Sequence, residues 1–569
     1  MRYKLRLFIV ILVAHALVAV FIWSWFINGD ITEQPRVLAF AASNLRKFES
    51  DKSKDITFKE IPCNINGEYN ISCRKESDEI YLPFTFIKKY FEVYGKLVEK
   101  DGSEIFNWSH SYANYYSVKR KYDPRGIFTH FQTYKVEERE RVKCISASEG
   151  VPLSTQWDPK GYYYPTQIAQ FGLSHYSKAI LEPELVKRVL EDGEDNQANW
   201  IVSHVSSIKR DVDDDADSQV LCFDTAENKP IMLHINDTLP ILSFDLKLNP
   251  KGSNEFVVEV KNIVEKLTYY LHYDCNGEHI NVSGDDIYYG LICNGRENWY
   301  KLSRDIFIDV QKGVMLKTKT KPKFQRSSLK IFSIQLKGKG CVDNVTLASN
   351  NHMTQFYLTV NWLLKHQDET TGGWVNPVTR KMAGSLLLKP GWYSAMGQGH
   401  ALSVLARAYY ISDKNTKYLE AARKALGPFK VLSKNHGVLA MYMHELHWYE
   451  EYPTDPPTFV LNGFIYSLIG LYDFHTLATV DYSHEPYMLY VQGMTSLKKL
   501  LLAFDTGSGT TYDLRHMSLG IAPKLARWDY HATHINQLLL LSSIDKDPLF
   551  SNTAKRWIGY MSGKRASHN

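Results

Sequence analysis

From about residue 350 to the C-terminus, apolar residues recur every three to four positions, the spacing that gives a helix one buried stripe. The pattern predicts helices over 353–367, 392–411, 418–432, 459–478, 487–504, 524–543 and 548–561. Loops rich in glycine, proline and aspartate join them, among them Gly372-Gly373-Trp374 and Pro453-Thr454-Asp455-Pro456-Pro457, and paired helices joined in this way predict an α/α toroid. Between about 199 and 347 the period shortens towards two. Leu267-Thr268-Tyr269-Tyr270-Leu271-His272-Tyr273 alternates cleanly, and Phe256-Val257-Val258-Glu259-Val260 and Leu329-Lys330-Ile331-Phe332-Ser333-Ile334 do so in part. Strands at this spacing, separated by turns, predict a central antiparallel β-sandwich or barrel. Ahead of it, short alternating segments such as Glu79-Ile80-Tyr81-Leu82 and Ile127-Phe128-Thr129-His130-Phe131 predict an N-terminal β-hairpin module, with one helix near 86–98. The expected fold class is therefore a multidomain α+β protein, divided into residues 61–180, 181–349 and 350–569.

The N-terminus alters this picture. Arg2, Lys4 and Arg6 precede an apolar run over 7–27 that is long enough to cross a ~30 Å hydrocarbon core. Trp23, Trp25 and Phe26 lie where interfacial aromatics sit, and the preceding positive charge predicts a type II single-pass anchor over 1–27, with a polar stem over 28–60 and a lumenal body. Five Asn-x-Ser/Thr sequons, at Asn70, Asn107, Asn236, Asn281 and Asn344, agree with a glycosylated lumenal chain. The seven cysteines form no C-x-x-C motif and no Cys/His cluster suited to zinc. Cys63 with Cys73, or Cys275 with Cys293, are candidate disulfides, and the odd count leaves at least one thiol free or intermolecular. A net charge of +5 suits an anionic partner without requiring one, and no run of basic and aromatic residues points to nucleic acid.

Candidate chemistry concentrates near the C-terminus. The stretch Asp505-Thr506-Gly507-Ser508-Gly509-Thr510-Thr511-Tyr512-Asp513-Leu514-Arg515-His516 is a poor helix or strand and a good exposed turn, and Arg527-Trp528-Asp529-Tyr530-His531 follows it closely. A third cluster, His447-Trp448-Tyr449-Glu450-Glu451-Tyr452-Pro453, falls at a loop, because Pro453 biases Tyr452 towards extended backbone. Neither a dinucleotide fingerprint, a phosphate-binding Gly-Lys-Ser/Thr loop nor a Gly-x-Ser-x-Gly elbow fits. What remains is tyrosine, 36 in all, accompanied by Glu and Arg. A phenol of pKa ~10 becomes a base near neutrality only beside a cation such as Arg515. Such a base suits removal of a weakly acidic carbon proton next to a carboxylate, as at C5 of a uronic acid.

These clusters, with Phe459-Val460-Leu461-Asn462-Gly463-Phe464, Gly391-Trp392-Tyr393-Ser394-Ala395-Met396 and the tyrosine-rich segment 161–177, resemble the heparosan-N-sulfate-glucuronate 5-epimerase (D-glucuronyl C5-epimerase) family. The resemblance is strongest in the last third of the chain. It implies a Golgi membrane enzyme of type II topology, a homodimer without organic cofactor, that converts glucuronic to iduronic acid in N-sulfated heparosan during heparan sulfate and heparin biosynthesis. It implies catalytic roles for Tyr122, Glu451, Tyr452, Tyr512 and Tyr530, and substrate contacts at Tyr116, Tyr134, Arg139, Tyr164, Tyr176, Asn462 and Arg515. It also implies a calcium ion in the β-domain, with Asp192, Glu194, Asp217 and Asp343 as candidate ligands, whereas Asp213-Asp214-Asp215 reads as a solvated turn. Inversion at one carbon needs groups on both faces of the ring. The expected arrangement has the Glu451/Tyr452 loop and Tyr122 on one face, Tyr530 on the other, and Tyr512 with Arg515 on the carboxylate. Trp448, Tyr449 and Trp528 are expected to pack, and His516, His531 and His534 to be structural. A polysaccharide lyase shares the C5 abstraction but expels the C4 oxygen, and an inactive glycan-binding protein would use the same groove without turnover.

Overall fold

Two sheets of six strands carry the alternating apolar positions of residues 187–348 in the computed structural model. The model describes residues 58–567 apart from short stretches at 66, 68, 91–92, 101, 111–113, 183–185, 195–197, 227–228 and 384. The expected anchor over 1–27 and the stem up to residue 57 lie outside the described residues. Among those described, no helix is long and apolar enough to cross a membrane.

One sheet runs in the order Ser207–Asp213, Ser218–Asp224, Lys339–Ala348, Ile241–Leu248, Trp299–Asp305, and Lys187–Glu191 also pairs with Lys339–Ala348. The other runs Ile231–Asp237, Leu329–Lys337, Glu255–Asn262, Leu267–Asp274, Asp286–Gly290, Asn281–Ser283. All pairings are antiparallel except that of Leu267–Asp274 with Asp286–Gly290. The inward-facing residues of both sheets share one core, in which the Phe244 and Phe256 rings stack 4.0 Å apart. This is a β-sandwich. Disulfides join Cys275 to Cys293 and Cys63 to Cys73, and a third joins Cys222 to Cys341. Those last two cysteines are 119 residues apart in sequence and become neighbours only through the pairing of their strands. Cys144 is free and buried.

Downstream lie the helices His352–Lys365, Ala395–Ile411, Lys417–Lys424, Leu461–Leu477, Val480–Leu500, Trp528–Ile544 and Pro548–Met561. Trp392 and Tyr393, expected to begin a helix, instead pair as a short strand with Val375–Asn376, and the helix starts at Ala395, where the Ser394 side chain caps it. Helices Ala395–Ile411 and Leu461–Leu477 are buried almost all round and lie back to back. Their contact depends on glycine, because a Cβ at Gly470 would stand 2.1 Å from the carbonyl oxygen of Gly399.

The division the structure shows falls at a different place from residue 180. The chain separates into one unit ending at Ser111 and another beginning at Tyr112. Helix Pro165–Leu181 belongs to the second unit, packed against His352–Lys365 and Ala395–Ile411. The segment 127–131, read as a strand, is a turn leading into the single helical turn Phe131–Thr133, and its alternation arises because Phe128 and Phe131 both enter the helical core. In the first unit, strands Lys59–Ile65, Tyr69–Glu76 and Glu79–Tyr81 form a meander. The helix expected near 86–98 covers only Phe84–Tyr90, and Val93–Lys100 pairs with Ser103–His110. Gly95 lies directly under the Phe84 and Phe106 rings, so strand packing outweighs a helical reading there.

Gly470→Ala forces apart the two central helices. It is expected to cost about 1–3 kcal/mol, read as a lower Tm in thermal unfolding.

Candidate active site

The glycine turn anchors the segment that carries Tyr512. The Asp505 carboxylate accepts from the Gly507 amide (2.8 Å), Arg556 Nε (2.8 Å), Trp557 Nε1 (2.9 Å) and the Tyr560 hydroxyl (2.9 Å), tying the turn to helix Pro548–Met561. Gly507 has φ +74, which favours glycine. Beyond the turn, the Tyr512 amide donates to the Lys524 carbonyl (2.7 Å) and its carbonyl accepts from the Leu461 amide (3.2 Å), so Tyr512 is held from both sides. The Thr510 hydroxyl lies 3.0 Å from Nδ1 of both His531 and His534, joining this segment to the helix whose first turn carries Tyr530. Both histidines are buried and their pKa values are lowered, chiefly by burial, which leaves them neutral.

The third cluster enters from strand Leu446–Tyr449. Trp448 stacks on Phe464 at 3.7 Å and the Tyr449 hydroxyl donates to the Leu489 carbonyl, which are packing roles. Glu450 braces the following loop through the Thr458 hydroxyl (3.0 Å) and the Phe459 amide (2.8 Å). Glu451 turns the other way. A Cβ at residue 463 would lie 2.5 Å from its Oε2, so Gly463 lets helix Leu461–Leu477 come against the carboxylate. Burial pushes Glu451 up to about 7, partly offset by the Tyr452 hydroxyl, the charge of Lys524, the Tyr512 hydroxyl and the charge of Arg380. The Tyr512 hydroxyl is 3.5 Å from Oε2, and the Tyr512 and Tyr530 rings meet edge to face at 4.9 Å.

Glu451, Tyr452, Tyr530, Tyr134, Arg139, Tyr164 and Asn462 all line one cleft of about 250 Å³. Tyr512 stands directly behind Glu451. Arg139 Nη1 donates to Gln170 Oε1 at 3.0 Å, and Asn462 Oδ1 is buried with no hydrogen-bond partner. Burial and neighbouring carboxylate charge hold Tyr530 above the usual phenol range, and Tyr452 and Tyr512 well above it. These phenols therefore keep their protons at neutral pH, and the buried carboxylate is the neighbour that can take one up. A tyrosinate stabilised by Arg515 is not formed, because Arg515 pairs with Asp513 through Nε (2.7 Å) and Nη2, is itself buried and does not line the cleft.

Three further candidates are not among the residues that line the cleft. The Tyr122 hydroxyl donates to Asp473 (2.9 Å) and accepts from Arg407 Nη2 (3.0 Å), completing a fully buried ion pair. Tyr176 lies under the same Arg407, 5.5 Å from ring centroid to guanidinium carbon, and donates to the Arg125 carbonyl. Tyr116 is exposed, its ring 4.5 Å from that of His130. Residues not foreseen also line the cleft, notably Arg141, Gln156, Gln170 and Tyr466. Arg139 and Arg141 are two residues apart, a spacing that puts both on one side of an extended segment, and this was the available signal.

In the β-domain, burial raises the pKa of Asp343, with the carboxylates of Asp245 and Glu194 adding to it. The Asp192 carboxylate accepts from the Glu194 amide at 3.2 Å, and Asp217 has φ +50 at the turn before Ser218. Among the described residues, no three Asp, Glu, His or Cys side chains converge as they stand closely enough to hold a metal. The Asp213 carboxylate of the supposed solvated turn is engaged by Lys247 (2.8 Å) and Trp299 (3.0 Å).

A buried carboxylate poised near neutrality, protonated phenols beside it and two guanidinium groups on the cleft wall define an acid–base enzyme for an anionic substrate. Comparison with known proteins narrows the class. The profile described as D-glucuronyl C5-epimerase C-terminus matches residues 367–559, and that of the D-glucuronyl C5-epimerase β-sandwich domain matches 217–339. A D-glucuronyl C5-epimerase of Caenorhabditis elegans is 38% identical over 560 residues, covering 90% of each chain. An uncharacterised protein of Methanocaldococcus jannaschii is 29% identical over 175 residues, 30% of this chain and 53% of its own. A family 11 carbohydrate-binding module of Clostridium thermocellum aligns with 28% of this chain and 94% of its own at 12% identity and a TM-score of 0.16, too slight a likeness to bear on the fold. The chain belongs to the D-glucuronyl C5-epimerase family.

Two predictions follow from the site's electrostatics. Because the folded-state pKa of Glu451 is raised, its ionisation costs stability as pH rises through about 7. Glu451→Gln should therefore add on the order of a few kcal/mol to the unfolding free energy at about pH 8–9, seen as a higher Tm, and change it little near about pH 5. Tyr122→Phe leaves Arg407 and Asp473 each one hydrogen bond short, with an expected cost of about 1–3 kcal/mol in denaturant unfolding.

Proposed function

We propose that this chain catalyses C5 epimerisation of D-glucuronyl residues to L-iduronyl residues in N-sulfated heparosan. The observation that carries this reading is that a buried base, Glu451, and a protonated Tyr530 line the same cleft. Ionised Glu451 removes the C5 proton, and the electrons of the C5–H bond pass into the adjoining carboxylate as an enolate. Positive charge from Arg139 and Arg141 in the cleft favours that species. The Tyr530 hydroxyl returns a proton to the opposite face of C5, and the inverted centre is complete. Glu451 then gives its proton to solvent and Tyr530 regains one, so the cycle balances without a redox cofactor. Tyr452 and Tyr512 hold Glu451 and exclude water from it.

The finer features of the reading rest on further support. The helices pack in succession, Pro165–Leu181 on Ala395–Ile411, the latter on Leu461–Leu477, that helix on Trp528–Ile544, and Trp528–Ile544 on Pro548–Met561, which supports closure as an α/α toroid. Three disulfides and the apolar run over 7–27 support a type II chain whose body lies in the Golgi lumen. Homodimerisation is what the family resemblance implies. For calcium, the reading rests on the family resemblance and on the chemistry of Glu194 and Asp343, whose carboxylates are hard oxygen donors of the kind the ion takes. With Asp192 and Asp217 they would hold the ion, which would brace the sandwich edge and take no part in the proton transfer.

Incubation with N-sulfated heparosan in D2O tests the function. Epimerisation puts solvent deuterium at C5 without chain cleavage, whereas an unsaturated, ultraviolet-absorbing product would mean a lyase. Tyr530→Phe is expected to lower turnover by about 10²–10⁴-fold at unchanged Tm.

A further inference from the structure

We propose that Arg380 is a positioning residue for the reaction assigned above, its guanidinium laid on the Tyr452 ring and presenting an unpaired positive charge to the Glu451 carboxylate. Arg380 begins a two-residue strand that pairs with Leu387–Leu388. The hairpin delivers its guanidinium carbon to 4.8 Å from the Trp157 ring centroid and 5.5 Å from that of Tyr452. Trp157 meets Tyr452 edge-on at 6.2 Å, and Trp392 closes the bracket at 5.8 Å from Trp157 and 5.9 Å from Tyr452. The cation is thus held by aromatic faces.

What is unusual is what Arg380 does not touch. Its Nε is buried and has no acceptor, and among the described residues no carboxylate stands within ion-pair distance of it. Among the described residues the most deeply buried guanidinium groups are paired, Arg304 with Asp309, Arg407 with Asp473 and Arg515 with Asp513, whereas half-buried Arg139 has only the neutral Gln170 amide oxygen as its hydrogen-bond partner. Arg380 therefore sits on aromatic faces beside an ionisable base without a carboxylate partner, a departure from ordinary charge pairing of the kind found at functional sites.

The groups that bear on Glu451 are the Tyr452, Tyr512, Tyr164 and Tyr530 phenols and the cations Lys524 and Arg380. Lys524 rests on the Tyr512 ring at 4.0 Å, and burial together with the nearby Arg515 makes its own charge harder to keep. A guanidinium stays charged throughout the working range. Arg380 is therefore the constant positive charge on the base, and it is held outside the residues that line the cleft, where substrate does not displace it.

The test compares Arg380→Met, which keeps an apolar stem on Trp157 without charge, with Arg380→Lys, which keeps the charge. In the full chain, kcat/KM for C5 exchange is followed against pH, and the titration of a 13C-labelled Glu451 carboxyl is followed alongside. The expected result is an acid-side midpoint, and a carboxyl titration, that moves up by about half to one pH unit in Arg380→Met and stays close to the unsubstituted value in Arg380→Lys. On the acid side this is about a three- to tenfold loss at fixed pH. A folded Arg380→Met protein with an unmoved midpoint, or equal displacement in both variants, would overturn the proposal. If Arg380→Met does not fold, Arg380→Gln takes its place in the same comparison. Absence of C5 exchange in the unsubstituted protein would instead overturn the epimerase reading, while the carboxyl titration would still decide the role of Arg380.

Discussion

Removal of the Glu451 carboxylate from water is the constraint to which the rest of the site answers. A carboxylate stripped of solvent and left without a contacting cation takes up its proton more readily, and Glu451 is held near the point where it can both receive and release one. Three deeply buried aspartates show the contrast. Asp309, Asp473 and Asp513 are each locked to an arginine, and those pairs hold elements together. Glu451 has phenols for neighbours, and phenols of raised pKa keep their protons. Burial thus sorts the site into one base and several acids, and the same dry surroundings strengthen the distant charges of Lys524 and Arg380.

The scaffold serves that sorting through close approach. Gly463 brings a helix against the carboxylate, Gly470 and Gly399 let the two central helices meet, and the Asp505 turn pins the Tyr512 segment to the C-terminal helix. The Thr510 hydroxyl, shared between His531 and His534, then fixes Tyr512 relative to Tyr530. The glycine turn is an anchor rather than part of the cleft lining, tied to the C-terminal helix through Asp505.

Much of this was legible along the chain where chemistry is contiguous. Glu451 and Tyr452 are adjacent, Tyr512 and Tyr530 lie in short dense clusters, and the helical period marked most of the helices. What escaped was set by distant pairing. Cys222 meets Cys341, and Arg380 meets Tyr452, only after folding. Arg515, three residues beyond Tyr512, was expected to serve the phenol, yet a short helix starts at Arg515 and its side chain turns back to Asp513. Tyr122 was assigned by its motif, and the sequence holds no sign that Arg407 and Asp473 would claim its hydroxyl. Alternation misled at 127–131, because two phenylalanines can reach a core from a turn as well as from a strand.

The central claim is that two different groups act on C5, Glu451 removing a proton and Tyr530 supplying another. The most direct test is a single turnover in ordinary water on N-sulfated heparosan carrying deuterium at C5 of its glucuronyl residues. The account predicts iduronyl product in which C5 carries hydrogen alone, since the returned proton never belonged to the substrate. Product iduronyl residues that keep the deuterium would mean that one group both takes and returns the proton, and would contradict it.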